Sequence, residues 1–207
     1  GRDGRGRQPL AMTEATAPSS ESAPAAVDLP FVKMHGAGND YVYINGFEWD
    51  VREPDTLAVA MADRHRGIGS DGLILVLPPG DPDAHARMRM FNADGSEAEM
   101  CGNGIRCVAR FLREHDLAAA DILHIETGGG RHAVQIYPND AGTVIGASVD
   151  MGEPRIGTAA IPHNPKATAL WDEQGLIIEV GDERLEFVAA SMGNPHVIHW
   201  DDASDIA

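Results

Sequence analysis

A cysteine at the start of a predicted amphipathic helix is the residue best placed for chemistry. Cys101 is followed by the Gly-Asn-Gly of residues 102–104, and apolar residues then recur at helical spacing. The first N–H groups of a helix have no intrahelical acceptor and carry the positive end of the helix dipole, so a thiolate there is stabilised. The same N–H groups can hold a carboxylate of a substrate. The segment therefore predicts removal of a proton next to a carboxylate.

A packing role is the alternative for any cysteine, because cysteine is among the most buried residue types. Cys101 lies between polar turn residues and a glycine-rich cap, outside the apolar stripe of the helix, which favours a reactive thiol. Cys107 lies inside the helix, where no glycine or cap flanks it. We therefore predict that Cys107 packs in the core.

The positions of the Cys, His and Lys side chains argue against a metal or a cofactor. Zinc sites need about four Cys or His ligands at short spacings, and the C-x5-C pair has no matching His pair close by. Pyridoxal phosphate needs a lysine, and neither Lys33 nor Lys166 lies in a phosphate-binding context. The GIGSDG segment lacks the Lys-Ser/Thr ending of a phosphate loop, so it predicts a tight connection near the site. We expect no metal and no cofactor.

The composition of the chain argues against several classes of binding partner. The chain carries 32 acidic side chains against 16 Lys and Arg, for a net charge of −16, which argues against nucleic acid. No apolar run approaches the ~18 residues of a membrane span. There is no apolar signal-peptide core near the start, and two cysteines do not make a disulfide framework. We expect a soluble cytoplasmic protein with no nucleic-acid or membrane partner.

The elements that must position Cys101 follow an α+β pattern dominated by strands. Residues 1–30 contain almost nothing to bury and are predicted to be disordered, with Met12 as an alternative start. One helix is predicted from Asp55, as its cap, to Arg64, and a second over residues 102–115. Ile105, Val108, Ala109 and Leu112 form the buried stripe of the second helix, and strands are predicted at 31–34, 41–44, 73–77, 85–91, 122–126, 132–137 and 144–150.

An internal repeat predicts two similar domains. HGAGNDYVYI (35–44) and ASMGNPHVIH (190–199) both contain Gly-Asn, a variable pair and then Val, and each follows an apolar strand. We assign residues 31–149 to a first domain and 150–207 to the beginning of a second. The step from Asn39 to Cys101, repeated from Asn194, predicts a second cysteine at about residue 256.

Four segments, in order, resemble the diaminopimelate epimerases: FVKMHGAGNDYVYI, ADRHRGIGSDGLILV, RMFNADGSEAEMCGNGIRCVARF and ASMGNPHVI. The resemblance implies two pseudo-symmetric α+β domains, each a mixed sheet or roll wrapped around a central helix, with the substrate cleft between them. It implies cofactor-independent interconversion of LL- and meso-2,6-diaminopimelate, an isomerase step of lysine and peptidoglycan biosynthesis. One cysteine thiolate removes the proton and a second cysteine returns one from the opposite face. A homodimer is compatible with this resemblance.

The resemblance also implies roles around the reacting carbon. Cys101 matches the catalytic cysteine of the first domain. Gly102 and Asn103 match backbone donors to the reacting carboxylate. With no counterpart of the second cysteine before Ala207, the 207-residue chain is expected to be a truncated epimerase that does not complete the reaction by itself.

Three asparagines match substrate-binding residues of the family. Asn39 and Asn92 correspond to those that hold the distal amino-carboxylate end, and Asn194 to one contributed by the second domain. Side-chain amides suit this role because they both donate and accept hydrogen bonds. This chain departs from the family at Gly72, where some members carry a substrate-contacting Gln, so that contact is absent or replaced by backbone.

Two rival functions stay open from the sequence. One is a relative of the same fold, such as a proline racemase-like or phenazine-biosynthesis-like isomerase. The other is a non-catalytic remnant that keeps half of the cleft. FNADGSE and MGNPH favour diaminopimelate as substrate, whereas a pocket too small for its distal end would favour proline.

Overall fold

The computed structural model describes residues 28–162, 170–171, 175–180 and 183–200. In these ranges the chain is a mixed α+β protein, as the sequence predicts. The first part of the chain runs through β1 (Val32–Gly36), β2 (Asn39–Asn45), α1 (Pro54–Ala62), β3 (Gly72–Leu77), β4 (Ala86–Asn92), β5 (Glu97–Ala98), α2 (Gly102–Glu114), β6 (Ile122–Thr127), β7 (Gly130–Pro138) and β8 (Val144–Val149). The second part runs through β9 (Arg155–Ile156), a 3-10 turn (Thr158–Ala160), β10 (Leu170–Trp171), β11 (Gly175–Val180), β12 (Glu183–Ser191) and β13 (Pro195–Ile198).

An eight-stranded sheet surrounds helix α2. Its strand order is β1-β2-β3-β4-β6-β7-β8, and β5 pairs with β4. The pairs β2/β3 and β4/β6 are parallel, and the others are antiparallel. Helix α2 contacts strands from β1 at one edge to β8 at the other, so the sheet curves around it. This arrangement confirms the predicted sheet wrapped around a central helix.

Helix α2 is buried along the stripe that its sequence predicts. Ile105, Val108, Ala109 and Leu112 are all fully buried among residues of the sheet. Each aliphatic side chain of this size contributes about 1.5–3 kcal/mol when removed from water. The stripe therefore fixes which face of α2 points to the sheet, and with it the direction in which the start of the helix points.

Helix α1 begins and ends earlier in the chain than predicted. It covers Pro54–Ala62, so the prediction that it extends from Asp55 to Arg64 was wrong at both ends. The cap position is Glu53, which makes no side-chain cap hydrogen bond, and Asp55 lies in the first turn. At the other end Asp63 takes an extended ψ of 114°, which stops the helix and places Arg64 in the following loop.

The second sheet contains the repeated hairpin. Its order is β10-β11-β12-β13, with β9 paired to β12. The hairpin β12/β13 closes at Ser191 opposite Pro195, and the hairpin β1/β2 closes at Gly36 opposite Asn39. Both repeat segments therefore form antiparallel hairpins; Gly38 and Gly193 lie in the turns, whereas Asn39 is the first residue of its strand and Asn194 lies in the turn. The domain bounds 31–149 and 150–207 stay a prediction.

The disorder predicted for residues 1–30 lies outside the described residues, apart from 28–30. Strand β5 was not predicted, because a two-residue strand inside a polar turn leaves no period-2 pattern to detect. No helix in the described ranges is both long and apolar enough to cross a membrane.

Candidate active site

Cys101 is the N-cap residue of α2. Its backbone is extended, with φ −139° and ψ 113°, and its side chain is half-buried. The sulfur accepts the N–H of Gly104 at 3.4 Å, and the carbonyl oxygen of Cys101 accepts the N–H of Ile105 at 2.9 Å. A Cβ on Gly104 would lie 2.8 Å from Cδ1 of Ile74, so glycine there lets the helix start approach β3. The sulfur is thus held at the positive end of α2.

Asn39 brings a second donor to the same sulfur. Its Nδ2 lies 3.6 Å from Sγ of Cys101, although 62 residues separate the two. The hairpin that carries Asn39 sits directly on the start of α2, since a Cβ on Gly36 would lie 2.7 Å from the carbonyl oxygen of Asn103. N–H groups from a helix and from a hairpin therefore converge on one sulfur, which is the environment of a reactive cysteine.

Asn92 lies at the same edge of the sheet as Asn39. Tyr41, Gly72 and Asn92 are in register across β2, β3 and β4. Nδ2 of Asn92 donates to Oγ of Ser96 at 3.0 Å, and its backbone N–H donates to the Ser96 carbonyl oxygen at 2.8 Å. The strand ends that carry Asn39 and Asn92 therefore lie on either side of β3, at one edge of the sheet.

Gly72 leaves no room for a side chain between these strands. A Cβ there would lie 2.0 Å from the carbonyl oxygen of Phe91 and 2.9 Å from Cε1 of Tyr41. The close approach of β3 and β4 therefore depends on glycine. The expectation that the Gln contact of some family members is absent here or replaced by backbone stays a prediction.

Gly102 and Asn103 are the first two residues of α2, so their N–H groups have no acceptor within the helix. The guanidinium of Arg106 folds back over this turn. Its Nη1 donates to the Gly102 carbonyl oxygen at 2.9 Å and its Nη2 to Oδ1 of Asn103 at 2.6 Å. Free helix N–H groups beside a cation can hold a carboxylate. Sequence reasoning missed Arg106. The signal that could have found it is a positively charged residue about one turn after the N-cap, Cys101.

Cys107, Tyr41 and Tyr43 are buried, whereas Cys101 is half-buried. Cys107 is 7% exposed within the core around α2, which confirms the predicted packing role, and burial raises the pKa of its thiol. Burial, with a smaller contribution from the charge of Cys101, raises the pKa of Tyr41 to about 12. Burial likewise raises the pKa of Tyr43 above its usual range. Both phenols are therefore neutral near pH 7.

A cluster of charged side chains flanks the site, and sequence reasoning missed it. Arg64 contacts both Asp40 and Asp71, and Lys33 contacts Asp40. The hydrogen bond from Arg64 holds the pKa of the Asp40 carboxyl well below its usual range. The signal in the sequence is that opposite charges flank two glycine-rich turns, and that Asp40 directly follows Asn39.

Asn194 lies apart from the first-sheet residues. It is exposed in the turn between β12 and β13, and its carbonyl oxygen accepts the N–H of Met192 at 3.4 Å. Among the described residues, no hydrogen bond joins Asn194 to Cys101, Asn39 or Asn92. A groove of about 380 Å³ does open between this hairpin and the first sheet, and its lining includes Met100, Met151, Arg155, Ser191 and Gly193. The groove is bounded by the immediate chain neighbours of Cys101 and Asn194.

No group of three or more His, Cys, Asp or Glu side chains in the described ranges could hold a metal ion. Of the two lysines considered for a Schiff base, Lys33 is engaged with Asp40, and Lys166 lies outside the described residues. The expectation of a site without metal or cofactor stays a prediction.

Comparison with solved structures defines the class of fold. The chain is similar to a probable proline racemase from Agrobacterium radiobacter K84, with a TM-score of 0.62 and 15% identity over 82% of this chain and 51% of that chain. It is also similar to a hydroxyproline epimerase from Agrobacterium vitis, with a TM-score of 0.61 and 17% identity over 82% of this chain and 50% of that one. The fold is therefore the one found in these racemases and epimerases.

Sequence comparison is more specific. A family model for diaminopimelate epimerase matches residues 31–157. The chain is 47% identical to the diaminopimelate epimerase of Desulfovibrio desulfuricans over 84% of its own length, and 43% identical to that of Halothermothrix orenii over 83%. The chain belongs to the diaminopimelate epimerase family. It spans 60% of the length of each of these two relatives.

Proposed function

We propose that this chain supplies one half of the active site of a cofactor-independent diaminopimelate epimerase, with Cys101 as the acid/base thiol of that half. The observation that carries the proposal is the convergence of two N–H donors, from Gly104 and Asn39, on the Cys101 sulfur. The names of the relatives, diaminopimelate epimerase in each case, support the substrate.

The chemistry follows from this placement. The Cys101 thiolate removes the α-proton of one stereocentre and becomes a thiol, leaving a carbanion next to the carboxylate. A thiol on the opposite face then gives its proton to that carbon and becomes a thiolate, so the configuration is inverted and charge is conserved. The free N–H groups of Gly102 and Asn103 stabilise the carboxylate as negative charge develops beside it. Asn39, Asn92 and Asn194 hold the rest of the substrate.

Cys107 cannot be the opposing thiol. It lies further along the same helix as Cys101 and is buried in the core. We therefore expect the 207-residue polypeptide, incubated alone with LL-diaminopimelate, to give no meso isomer when the isomers are separated by chiral chromatography. Conversion above the level of a Cys101→Ser control would contradict this assignment.

The substrate is tested by calorimetric titration of this polypeptide with LL-diaminopimelate. Loss of one hydrogen bond to a charged substrate group should weaken binding about tenfold, so Asn39→Ala and Asn92→Ala are each expected to do so. Gln135→Ala is the matched control, because the Gln135 amide bonds to the Ile136 carbonyl oxygen on β7, outside the site.

Ligand controls separate the rival functions. L-Lysine, which lacks the distal carboxylate, should bind more weakly than LL-diaminopimelate. Tighter binding of L-proline than of LL-diaminopimelate would replace the proposal with a proline racemase-like function. Binding of none of these ligands would favour a non-catalytic remnant.

A further inference from the structure

Two carboxylates and two cations form a cluster one residue away from Asn39. Nη2 of Arg64 lies 2.7 Å from Oδ1 of Asp40 and 3.0 Å from Oδ1 of Asp71, and its Nη1 lies 3.3 Å from Oδ2 of Asp40. Nζ of Lys33 lies 3.0 Å from Oδ2 of Asp40 and also donates to the Gly69 carbonyl oxygen. The cluster therefore ties together β1, β2 and the loop that precedes β3.

Backbone hydrogen bonds extend this link into the strands. The N–H of Asp40 donates to Oδ2 of Asp71 at 3.0 Å, and the N–H of Asp71 donates to the carbonyl oxygen of Asp40 at 2.7 Å. These two reciprocal bonds close the beginning of the parallel pair β2/β3. Asn39 immediately precedes Asp40 and Gly72 immediately follows Asp71, so the link lies one residue from the site on each strand.

The hairpin tip needs such a link. It turns through Ala37 and Gly38, whose φ values of 52° and 87° are both positive. The β1/β2 pairing ends at Gly36 opposite Asn39, so Asn39 is the first paired residue after the turn. A terminal pair of a hairpin frays easily, and a side chain there keeps its direction only if something beyond the hairpin holds it.

We infer that Arg64 is a positioning residue: its guanidinium joins Asp40 to Asp71 and so holds the Asn39 amide against the Cys101 sulfur. The inference rests on the proposed function in taking Cys101 as the reacting thiol. Arg64 itself does not touch the sulfur. The planar fork of an arginine is required, because one ammonium is a point charge and does not make the same paired contacts to both carboxylates.

The test compares Arg64→Ala, Arg64→Lys and a control, Arg110→Ala. Arg110 donates to Glu114 at 2.8 Å in an exposed ion pair on α2, so the control removes one arginine ion pair away from the cluster. The first readout is the rate of Cys101 alkylation by iodoacetamide at pH 7. The second is the position of the Asn39 side-chain NH2 signals in a ¹⁵N-correlated NMR spectrum.

Arg64→Ala is expected to slow alkylation about tenfold and to move the Asn39 signals towards those of a free amide. Arg64→Lys should give an intermediate rate, and Arg110→Ala should leave both readouts unchanged. Wild-type values of both readouts in Arg64→Ala would overturn the inference. If Arg64→Ala fails to fold, the Arg64→Lys variant decides, and a wild-type alkylation rate with wild-type Asn39 signals there would overturn the inference.

Failure of this inference differs from failure of the proposed function. If only the positioning role is wrong, LL-diaminopimelate still binds the wild-type chain while Arg64→Ala has normal Cys101 reactivity. If only the substrate is wrong, LL-diaminopimelate does not bind, and Arg64→Ala still slows the alkylation of Cys101.

Discussion

The two cysteines of this chain show how position within one helix separates chemistry from packing. Cys101 caps the helix, half-buried, and accepts hydrogen bonds from two elements, whereas Cys107 lies 7% exposed against the sheet. Local sequence alone distinguishes them, because glycine follows one directly and an apolar stripe surrounds the other. The Gly-Asn-Gly cap is therefore the informative feature.

Their reactivities should differ accordingly. At pH 7 iodoacetamide should label Cys101 at least about tenfold faster than Cys107, because burial blocks access to the Cys107 thiol and raises its pKa. Peptide mass spectrometry after timed quenching measures both rates, and Cys101→Ser identifies the fast site. Equal labelling of the two residues in the folded chain would contradict the assignment of roles.

Asp40 should make stability depend on acid. The pKa of Asp40 is lowered in the folded chain, chiefly by Arg64. The contribution of the Asp40 carboxylate to stability is therefore complete at pH values well above the ordinary pKa of 3.8, and it declines as the pH falls below 3.8. Asp40→Asn should therefore lower the melting temperature by about 2–4 °C near pH 7, and the difference should shrink between about pH 4 and pH 2.

The control for this measurement is Asp50→Asn. Asp50 is 87% exposed and its ion pair with Arg52 is long, at 4.0 Å, so the substitution should have no effect at either pH. A difference in melting temperature between wild type and Asp40→Asn that widened as the pH fell would contradict a lowered pKa for Asp40.

At the scale of elements, strand ends build the site. Strands β2, β3 and β4 place Asn39, Gly72 and Asn92 along one edge, and the β1/β2 hairpin rests on the start of α2. Apolar runs and alternation predicted most of these strands to within a few residues, because β2 and β3 are buried along most of their length and β4 alternates between buried and more exposed residues. It could not predict that β2 and β3 are parallel neighbours, since that pairing joins residues far apart in the chain.

The charged cluster was missed for the same physical reason. Asp40, Arg64 and Asp71 come from three segments, and nothing local in any one of them indicates that they meet. The end of α1 was also misplaced, because the turn at Asp63 overrides the helical preference of the residues after it. Long-range pairing and loop geometry are thus the parts that sequence patterns do not contain.

Gly72 gives a prediction at this scale. Gly72→Ala should destabilise the chain by about 1–3 kcal/mol, because a Cβ 2.0 Å from the Phe91 carbonyl oxygen forces β3 and β4 apart. Urea denaturation followed by circular dichroism measures the loss. Gly146→Ala on β8 is the control, since its Cβ would find only Cδ2 of Tyr137 at 3.7 Å. Equal stability of the two variants would contradict the close packing of these strands.

At the scale of the whole molecule, a helix lies inside a curved sheet, and a groove that includes Met100, the residue before its N-cap, is shared with a second sheet. The family and the central helix could be recognised from four motifs in order, because those motifs cluster at the helix start and the hairpin turns. The groove between the two sheets could not be recognised, because Met100, Met151 and Ser191 line it together although they are far apart in the chain. Binding of LL-diaminopimelate against Cys101 is the part of the proposed function on which the rest depends.

We expect bound LL-diaminopimelate to protect Cys101 from alkylation. Saturating LL-diaminopimelate should slow iodoacetamide labelling of Cys101 at pH 7 at least about tenfold, in proportion to site occupancy, while L-proline at the same concentration has no effect. Unchanged labelling of Cys101 at saturating LL-diaminopimelate would show that the substrate does not bind next to this thiol.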